Sequence, residues 1–155
     1  MRTLTQWLGE YGLSHQHPAN KLLHWICVPA IVLSAFGLLW AAPVPEFFRS
    51  VSAWLNWATL AAIAALLYYL LLSARLAVGV LVAFAALLII TRELASLPWP
   101  LWQTSLLIFV VAWIGQFIGH AIEGKRPSFF KDLQFLLIGP LWLVAAGYRQ
   151  VGLRY

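Results

Sequence analysis

Charged side chains are scarce in this sequence. They make up 10% of its 155 residues, whereas about 25% is usual in a soluble domain. Hydrophobic residues make up 63%, and the mean hydropathy is +0.84. This composition excludes an ordinary soluble protein and indicates a single integral membrane domain over residues 1–155, with no separate soluble domain.

Cysteine and acidic residues are also few. The only cysteine is Cys27, which excludes an intrachain disulfide and favours a buried, inert thiol. Asp and Glu number five against ten Lys and Arg, but the basic residues are scattered singly between apolar segments and form no basic face. We therefore expect no nucleic-acid partner, and we interpret the basic residues as determinants of membrane topology.

Long apolar segments dominate the rest of the chain. Residues 2–13 predict a short amphipathic helix at the membrane surface, because Leu4, Trp7, Leu8 and Tyr11 share one helical face. Four membrane spans are predicted after it. They cover residues 21–42, 51–72, 76–91 and 100–120.

The last apolar segment, Leu133 to Tyr148, is harder to assign. As a helix it would reach only about 24 Å against a hydrocarbon core of about 30 Å, and Gly139-Pro140 interrupts it. Cytoplasmic loops are enriched in Lys and Arg, which favours a cytoplasmic amino terminus and a final segment that re-enters the membrane. A fifth crossing is the alternative.

The predicted fold class is thus an all-α integral membrane protein with four transmembrane helices, an amphipathic N-terminal helix and a C-terminal re-entrant or fifth membrane segment. The first apolar run is too long for a signal peptide and has no clear cleavage site, so we expect it to stay in the membrane. The compact length favours a bacterial inner membrane, and an endoplasmic reticulum membrane is the alternative.

Two polar stretches, residues 15–24 and 116–123, contain every histidine of the protein. Four crossings between them place both stretches at the same membrane face, on the cytoplasmic side. Gln116, His120 and Glu123 follow one another at i, i+4 and i+7 and share a helical stripe. Ionisable residues beside a bilayer are costly, so a functional site is the default hypothesis for them.

Imidazoles together with a carboxylate suit non-haem Fe(II), which needs open positions for oxygen and substrate. The candidate metal ligands are His15, His24, His120 and Glu123, with His17 as a weaker candidate. Asn20 and Gln116 are candidates for orienting these ligands through hydrogen bonds.

The same residues carry a resemblance to a known family. The motif Tyr11-x3-His15-x4-Asn20-x3-His24-x4-Pro29, joined to Gln116-Phe117-Ile118-Gly119-His120-x2-Glu123-x3-Pro127, resembles that of the membrane-bound 2-hydroxy fatty acid dioxygenases. These small membrane proteins convert phytosphingosine-derived 2-hydroxy fatty acids to odd-chain products.

The resemblance implies an Fe(II)-dependent dioxygenase that shortens a 2-hydroxy fatty acid by one carbon, with O2 as co-substrate and release of CO2. It implies His15, His24 and His120 as catalytic, iron-related residues. Because such a substrate carries a carboxylate, we expect one of three cations to bind it. The candidates are Lys21, Lys125 and Arg126.

Other interpretations stay open at this point. The histidines are alternatively hydrogen-bonded anchors of a non-enzymatic lipid-binding or assembly protein, and Glu123 alternatively pairs with Lys125 or Arg126 at the membrane surface. His24 and His120 would serve as axial ligands in a haem-binding helical bundle. A di-iron hydroxylase is disfavoured, because four histidines are too few for its histidine boxes.

Overall fold

The computed structural model describes residues 2–130 and 134–155, and in these ranges the protein is helical with no β-strand. The α-helices are α1 Leu4–Gly12, α2 Pro18–Ala41, α3 Glu46–Val51, α4 Trp57–Leu72, α5 Ala74–Ala95, α6 Leu101–Glu123 and α7 Phe135–Gln150. A 3-10 turn at Ser128–Phe130 lies between α6 and α7. The predicted all-α class is confirmed.

In the part of the chain that the structure describes, three helices are long and apolar enough to cross a membrane: α2, α5 and α6. The second predicted span is shorter than expected, because α4 has only 16 residues. Its start is fixed by Asn56, whose side chain accepts hydrogen bonds from the backbone N–H groups of Ala58 and Thr59. The preceding residues form the separate helix α3, so the predicted start at residue 51 is wrong.

The third predicted span, residues 76–91, is longer than expected. Helix α5 continues through Arg92 and Glu93 to Ala95. The predicted span ended before these residues because charged side chains are unfavourable in hydrocarbon. Both residues lie in the last turn of α5, where their side chains are exposed. The helical backbone therefore extends beyond its apolar part.

Helices α2 and α6 pack closely and run antiparallel. A Cβ atom added at Gly119 would lie 2.4 Å from Oδ1 of Asn20, and one added at Gly115 would lie 2.6 Å from Sγ of Cys27. Near the other end of the pair, Gly37 of α2 meets Ser105 of α6. Small residues allow this approach, as in many membrane helix pairs. The pairing brings the first turns of α2 against the last turns of α6.

Helix α1 covers this end of the pair. Thr3 caps it with a capping box in which Gln6 is the partner, and its buried residues are Trp7, Leu8 and Tyr11. These are three of the four residues predicted to share the apolar face. Trp7 packs edge-on against Phe135 at the start of α7, with 5.1 Å between ring centroids.

Helix α7 is continuous, so the predicted interruption at Gly139-Pro140 is wrong. Proline removes one backbone donor near the start of this helix, and the helix continues past it. Tyrosines of neighbouring helices hold α7: Tyr69 of α4 donates to the carbonyl of Leu137 at 2.7 Å. In turn, Tyr148 of α7 donates to the carbonyl of Arg75 at 3.0 Å. Leu133, the first residue of the predicted segment, lies outside the described residues.

Candidate metal centre

Three histidines from three parts of the chain converge beneath α1. His15 lies in the connection between α1 and α2, His24 in the second turn of α2, and His120 in the last turn of α6. Each offers one ring nitrogen, and these nitrogens all lie within 4.8 Å of one another. The exposed fractions are 1%, 1% and 4%. Both predicted polar stretches therefore contribute to one buried three-histidine group.

Backbone carbonyls fix the proton positions of two of these rings. Nδ1 of His15 lies 2.5 Å from the carbonyl oxygen of Tyr11, and Nδ1 of His24 lies 3.0 Å from that of Asn20. A carbonyl oxygen can only accept, so each Nδ1 carries the proton and donates it. Each Nε2 is then left with a lone pair, which is the arrangement of metal-binding histidines.

The two Nε2 atoms face each other across 2.8 Å. Since neither carries a proton in these tautomers, they cannot form a hydrogen bond with each other. The third ring adds a further open atom, because Nδ1 of His120 is buried and has no partner among the described residues. The Nε2 atoms of His15 and His24 carry no proton, and Nδ1 of His120 has no partner. A set of three such nitrogens close together fits a cation such as Zn²⁺ or Fe(II).

The His15 ring is neutral at physiological pH. Its pKa is lowered to about 3, mainly by burial and next by the neighbouring His24, while the Tyr11 carbonyl opposes the shift and His120 and Glu123 have smaller effects. Metal binding requires a neutral imidazole. This group is therefore ready to bind a cation without first losing a proton.

Glu123, proposed from the sequence as a ligand, lies outside the three-histidine group. Its Oε1 accepts from the backbone N–H of Gln16 at 2.9 Å. Its Oε2 accepts from the backbone N–H of His17 at 2.8 Å and from Nδ2 of Asn20 at 3.1 Å. The carboxylate thus ties the end of α6 to the connection that carries His15 and to the N-terminus of α2, where a negative charge is favourable.

His17 caps α2 instead of pointing into the group. Its Nδ1 accepts from the backbone N–H of Ala19 at 3.2 Å, and the residue is exposed. This position agrees with its weak standing as a ligand candidate.

Asn20 and Gln116 are both buried beside the histidines, at 0% and 5% exposure. Asn20 orients His24 through its backbone carbonyl, while its side chain donates to the carbonyl of Ser14 at 3.1 Å. Nδ2 of Asn20 also donates to Glu123, as described above. Gln116 makes no hydrogen bond within the described residues, and its Nε2 is buried and unpaired.

The three cations proposed for the substrate carboxylate do not line the cavity beside the histidines. Lys125 and Arg126 are exposed, and Nζ of Lys125 donates to the carbonyl of Leu13. Lys21 is partly exposed at the first turn of α2. The structure thus places all three at the outside of the site.

Tyr11 contributes more to the site than the sequence suggested. Its ring stacks on that of His15, with 4.1 Å between centroids and 13° between planes, and its carbonyl holds the same imidazole. The ring centroid of Trp142 in α7 lies 5.6 Å from the centroids of both the Tyr11 and the His15 rings. The four-residue spacing of Tyr11 and His15 was a usable signal, but the aromatic residues were interpreted as membrane-interface and packing residues.

One cavity adjoins the histidines, and a second cavity borders the first. The first has a volume of about 60 Å³ and is lined by His24 and His120 together with Tyr11, Trp113, Gln116, Ser128 and apolar residues. The second, about 310 Å³ and almost entirely apolar, lies between α2, α5 and α7. The two share Val28, Val32 and Pro140 as lining residues. We name them the head cavity and the tail cavity.

Comparisons with known proteins identify the family of the chain. The model of a family described as 2-hydroxy-palmitic acid dioxygenase Mpo1-like matches residues 1–151. The 2-hydroxy-palmitic acid dioxygenase MPO1 of Saccharomyces cerevisiae is 31% identical over 140 residues, which cover 88% of this chain and 75% of the yeast protein. No solved structure matches the chain. On this evidence, the chain belongs to the family of 2-hydroxy-palmitic acid dioxygenase Mpo1-like proteins.

Proposed function

We propose that this protein is an Fe(II)-dependent dioxygenase that shortens 2-hydroxy fatty acids by one carbon and releases CO2. Family membership supports a dioxygenase that acts on a 2-hydroxy fatty acid. The observation that carries the metal is the three-histidine group, in which the Nε2 atoms of His15 and His24 face each other without a proton and Nδ1 of His120 has no partner. Such a set suits non-haem iron.

Iron held by these histidines would supply the Lewis acidity and the redox capacity for the reaction with O2. The overall reaction balances without a further reductant: a 2-hydroxy acid and O2 give the acid that is one carbon shorter, CO2 and water. The bond between C1 and C2 breaks, C1 leaves as CO2, and C2 becomes the new carboxyl carbon. Because the substrate provides all the electrons that reduce O2, no 2-oxo acid is needed as a second substrate.

The residues of the chain bind and orient the substrate. In this proposal the hydroxyl and carboxyl groups of the substrate occupy the head cavity, which His24 and His120 line. The acyl chain then extends past Val32 and Pro140 into the tail cavity, whose lining is apolar. These walls exclude water from the reacting carbons.

The membrane arrangement belongs to the same proposal. His24 near the start of α2 contacts His120 near the end of α6, with 5.1 Å between ring centroids, so both helix ends lie at one membrane face. Crossings by α2, α5 and α6 alone would place these ends at opposite faces. We therefore infer that the shorter helix α4 makes the fourth crossing. A cytoplasmic site in a bacterial inner membrane stays a prediction.

The first test is the iron content of anaerobically purified protein, compared with His24→Ala, His120→Ala and the matched control His17→Ala. We expect about one iron per chain in the wild type and in His17→Ala, because His17 only caps α2. Both other variants should lose the iron while circular dichroism shows an intact helical fold. Iron that persists in either variant would exclude the shared site.

The second test is the product. Iron-loaded wild-type protein with 2-hydroxyhexadecanoic acid under O2 should release CO2 and a chain of fifteen carbons, detected by mass spectrometry, and His120→Ala should not. If the protein holds iron but leaves the hydroxy acid unchanged, the proposed reaction is wrong.

The alternative functions differ in the same assays. A non-enzymatic lipid-binding protein would carry no stoichiometric iron. A haem-binding bundle is disfavoured by the head cavity, since about 60 Å³ beside His24 and His120 does not accommodate a porphyrin. The Soret absorption of the purified protein tests this alternative directly.

A further inference from the structure

Three side chains that line the head cavity carry buried polar atoms with no partner among the described residues. Trp113, Gln116 and His120 lie on one face of α6, at i, i+3 and i+7, and line the cavity together. Nε1 of Trp113, Nε2 of Gln116 and Nδ1 of His120 are buried without a hydrogen-bond partner. A buried polar group without a partner costs free energy, and a nonpolar membrane offers no water to satisfy it. Since Nδ1 of His120 belongs to the proposed metal site, the N–H groups of Trp113 and Gln116 remain as donors for a polar ligand at this cavity.

Gln116 is the member of this set that lies nearest the histidines without being one of them. It precedes His120 by one helical turn, or about 6 Å along the axis, and its residue is 5% exposed. Gln116 and His24 both line the head cavity, and Nε2 of Gln116 is buried without a partner. An amide N–H at this position can donate to a carboxylate bound beside the histidines.

Tyr11 faces the same cavity from α1. Its hydroxyl makes no hydrogen bond within the described residues and lies against Gly139, where an added Cβ would be 3.0 Å from the oxygen. A phenol hydroxyl carries a proton that it can donate. Stacking on His15 fixes the ring, with 4.1 Å between centroids. Tyr11 therefore supplies a second neutral donor to the lining of the head cavity.

We propose that the Gln116 amide and the Tyr11 hydroxyl form an uncharged receptor for the carboxylate of the substrate. Among the residues that the structure describes, no lysine or arginine lines the head cavity, and Lys125 is already engaged with the carbonyl of Leu13. Two neutral donors avoid the cost of burying a cation next to hydrocarbon. The inference rests on the proposed function, because it identifies how that substrate's head group is held.

The experiment measures binding of two ligands to the full-length chain in detergent, with and without Fe(II). The ligands are 2-hydroxyhexadecanoic acid and hexadecane-1,2-diol, which has the same chain and C2 hydroxyl but no carboxylate. The variants Gln116→Met and Tyr11→Phe remove the donors and keep the side-chain size. The matched controls are Gln103→Met, at an exposed position of α6, and Tyr69→Phe, which loses a buried hydroxyl outside both cavities.

Each of Gln116→Met and Tyr11→Phe should weaken binding of the acid about tenfold, and binding of the diol less than about twofold, while the controls change neither and iron content stays at the wild-type level. With iron present, KM for the acid should rise by the same factor and kcat should change little. Unchanged acid binding, or equal weakening of acid and diol, would overturn the receptor.

Failure of the receptor and failure of the proposed function give different results. If wild-type protein binds iron and shortens the acid but the variants behave like the controls, only the receptor is wrong. If the wild type does not turn over the acid, the binding data without Fe(II) still decide whether these two residues recognise a carboxylate. Should Gln116→Met fail to fold, Tyr11→Phe, which removes a single oxygen atom, decides the result.

Discussion

At the scale of single residues, Glu123 holds the backbone next to His15 in place but is not a member of the three-histidine group. Its two oxygens accept three hydrogen bonds from Gln16, His17 and Asn20. The first two donors are backbone groups next to His15, so the carboxylate fixes the connection on which that ligand candidate lies. Hydrogen bonds to a charged acceptor are worth about 1.5–3 kcal/mol each.

A Glu123→Gln variant distinguishes an anchor from a ligand. We expect the variant to retain iron but to lose about 1–3 kcal/mol in the free energy of unfolding, because the neutral amide accepts these bonds less well. Chemical denaturation and elemental analysis measure the two quantities. The control Glu10→Gln, at an exposed pair with Arg2, should be close to neutral. A folded Glu123→Gln protein without iron would show that the carboxylate is a ligand.

The sequence predicted that His15, His24 and His120 approach one another. Helical spacing indicates which residues share a face, and the predicted even number of crossings brings both stretches to one membrane face. It did not predict their individual roles. Whether Glu123 meets a metal or backbone N–H groups depends on how the residues 13–17 turn between α1 and α2. That turn is set by packing of α1 against α7, through contacts such as Trp7 with Phe135, and no local pattern encodes it.

At the scale of helices, the α2–α6 pair determines the distance between the two histidine-bearing stretches. Gly115 and Gly119 form a small-residue stripe on α6, and side chains of α2 fill the space above them. Asn20 is the critical neighbour, since its side chain is held by Ser14 and Glu123 and cannot simply move aside. Any widening here separates His24 from His120.

We expect Gly119→Ala to destabilise the protein by about 1–3 kcal/mol and to reduce its iron content. The new Cβ would lie 2.4 Å from Oδ1 of Asn20, so α6 has to shift outward. Thermal unfolding and elemental analysis are the measurements. Gly9→Ala is the matched control: nothing lies within 4 Å of its Cβ, and alanine favours the helix. Equal behaviour of the two variants would contradict the close-packing argument.

Helix limits show where sequence patterns were sufficient and where they were not. Hydropathy predicted the positions of α2, α4, α5 and α6, because burial in a membrane depends on composition over about twenty residues. It misplaced the start of α4, which the Asn56 cap determines. It also misplaced the end of α5, because the helix continues through the charged residues Arg92 and Glu93. Cap geometry is local and polar, so a hydropathy window does not detect it.

For the whole molecule, the single cysteine allows a direct test of topology. Cys27 is buried and is the only cysteine, so a Cys27→Ala protein provides a clean background for new cysteines at exposed Ser50, Arg75, Ser96 and Gln150. With four crossings, a membrane-impermeant maleimide should label positions 50 and 96 from one side, and position 75 from the other. Position 150 should follow position 75 if α7 re-enters and position 50 if α7 crosses.

Labelling of positions 50 and 75 from the same side would show that α4 does not cross, and the inferred four-span arrangement would then be wrong. The control is the unsubstituted Cys27→Ala protein, which should not be labelled from either side. Iron content of each variant confirms that the histidine group is intact before its topology is interpreted.

The shortness of α4 has a consequence for the lipid around the protein. Its 16 residues span about 24 Å as a helix, while an average hydrocarbon core is about 30 Å thick. A crossing helix of this length stands nearly upright and draws the two leaflets together beside it. Because α5 packs against α4 and also borders the tail cavity, a crossing by α4 would place the thinned bilayer next to the cavity proposed for the acyl chain. Local membrane deformation would thus shorten the distance a hydroxy acid travels from the lipid surface to the histidines.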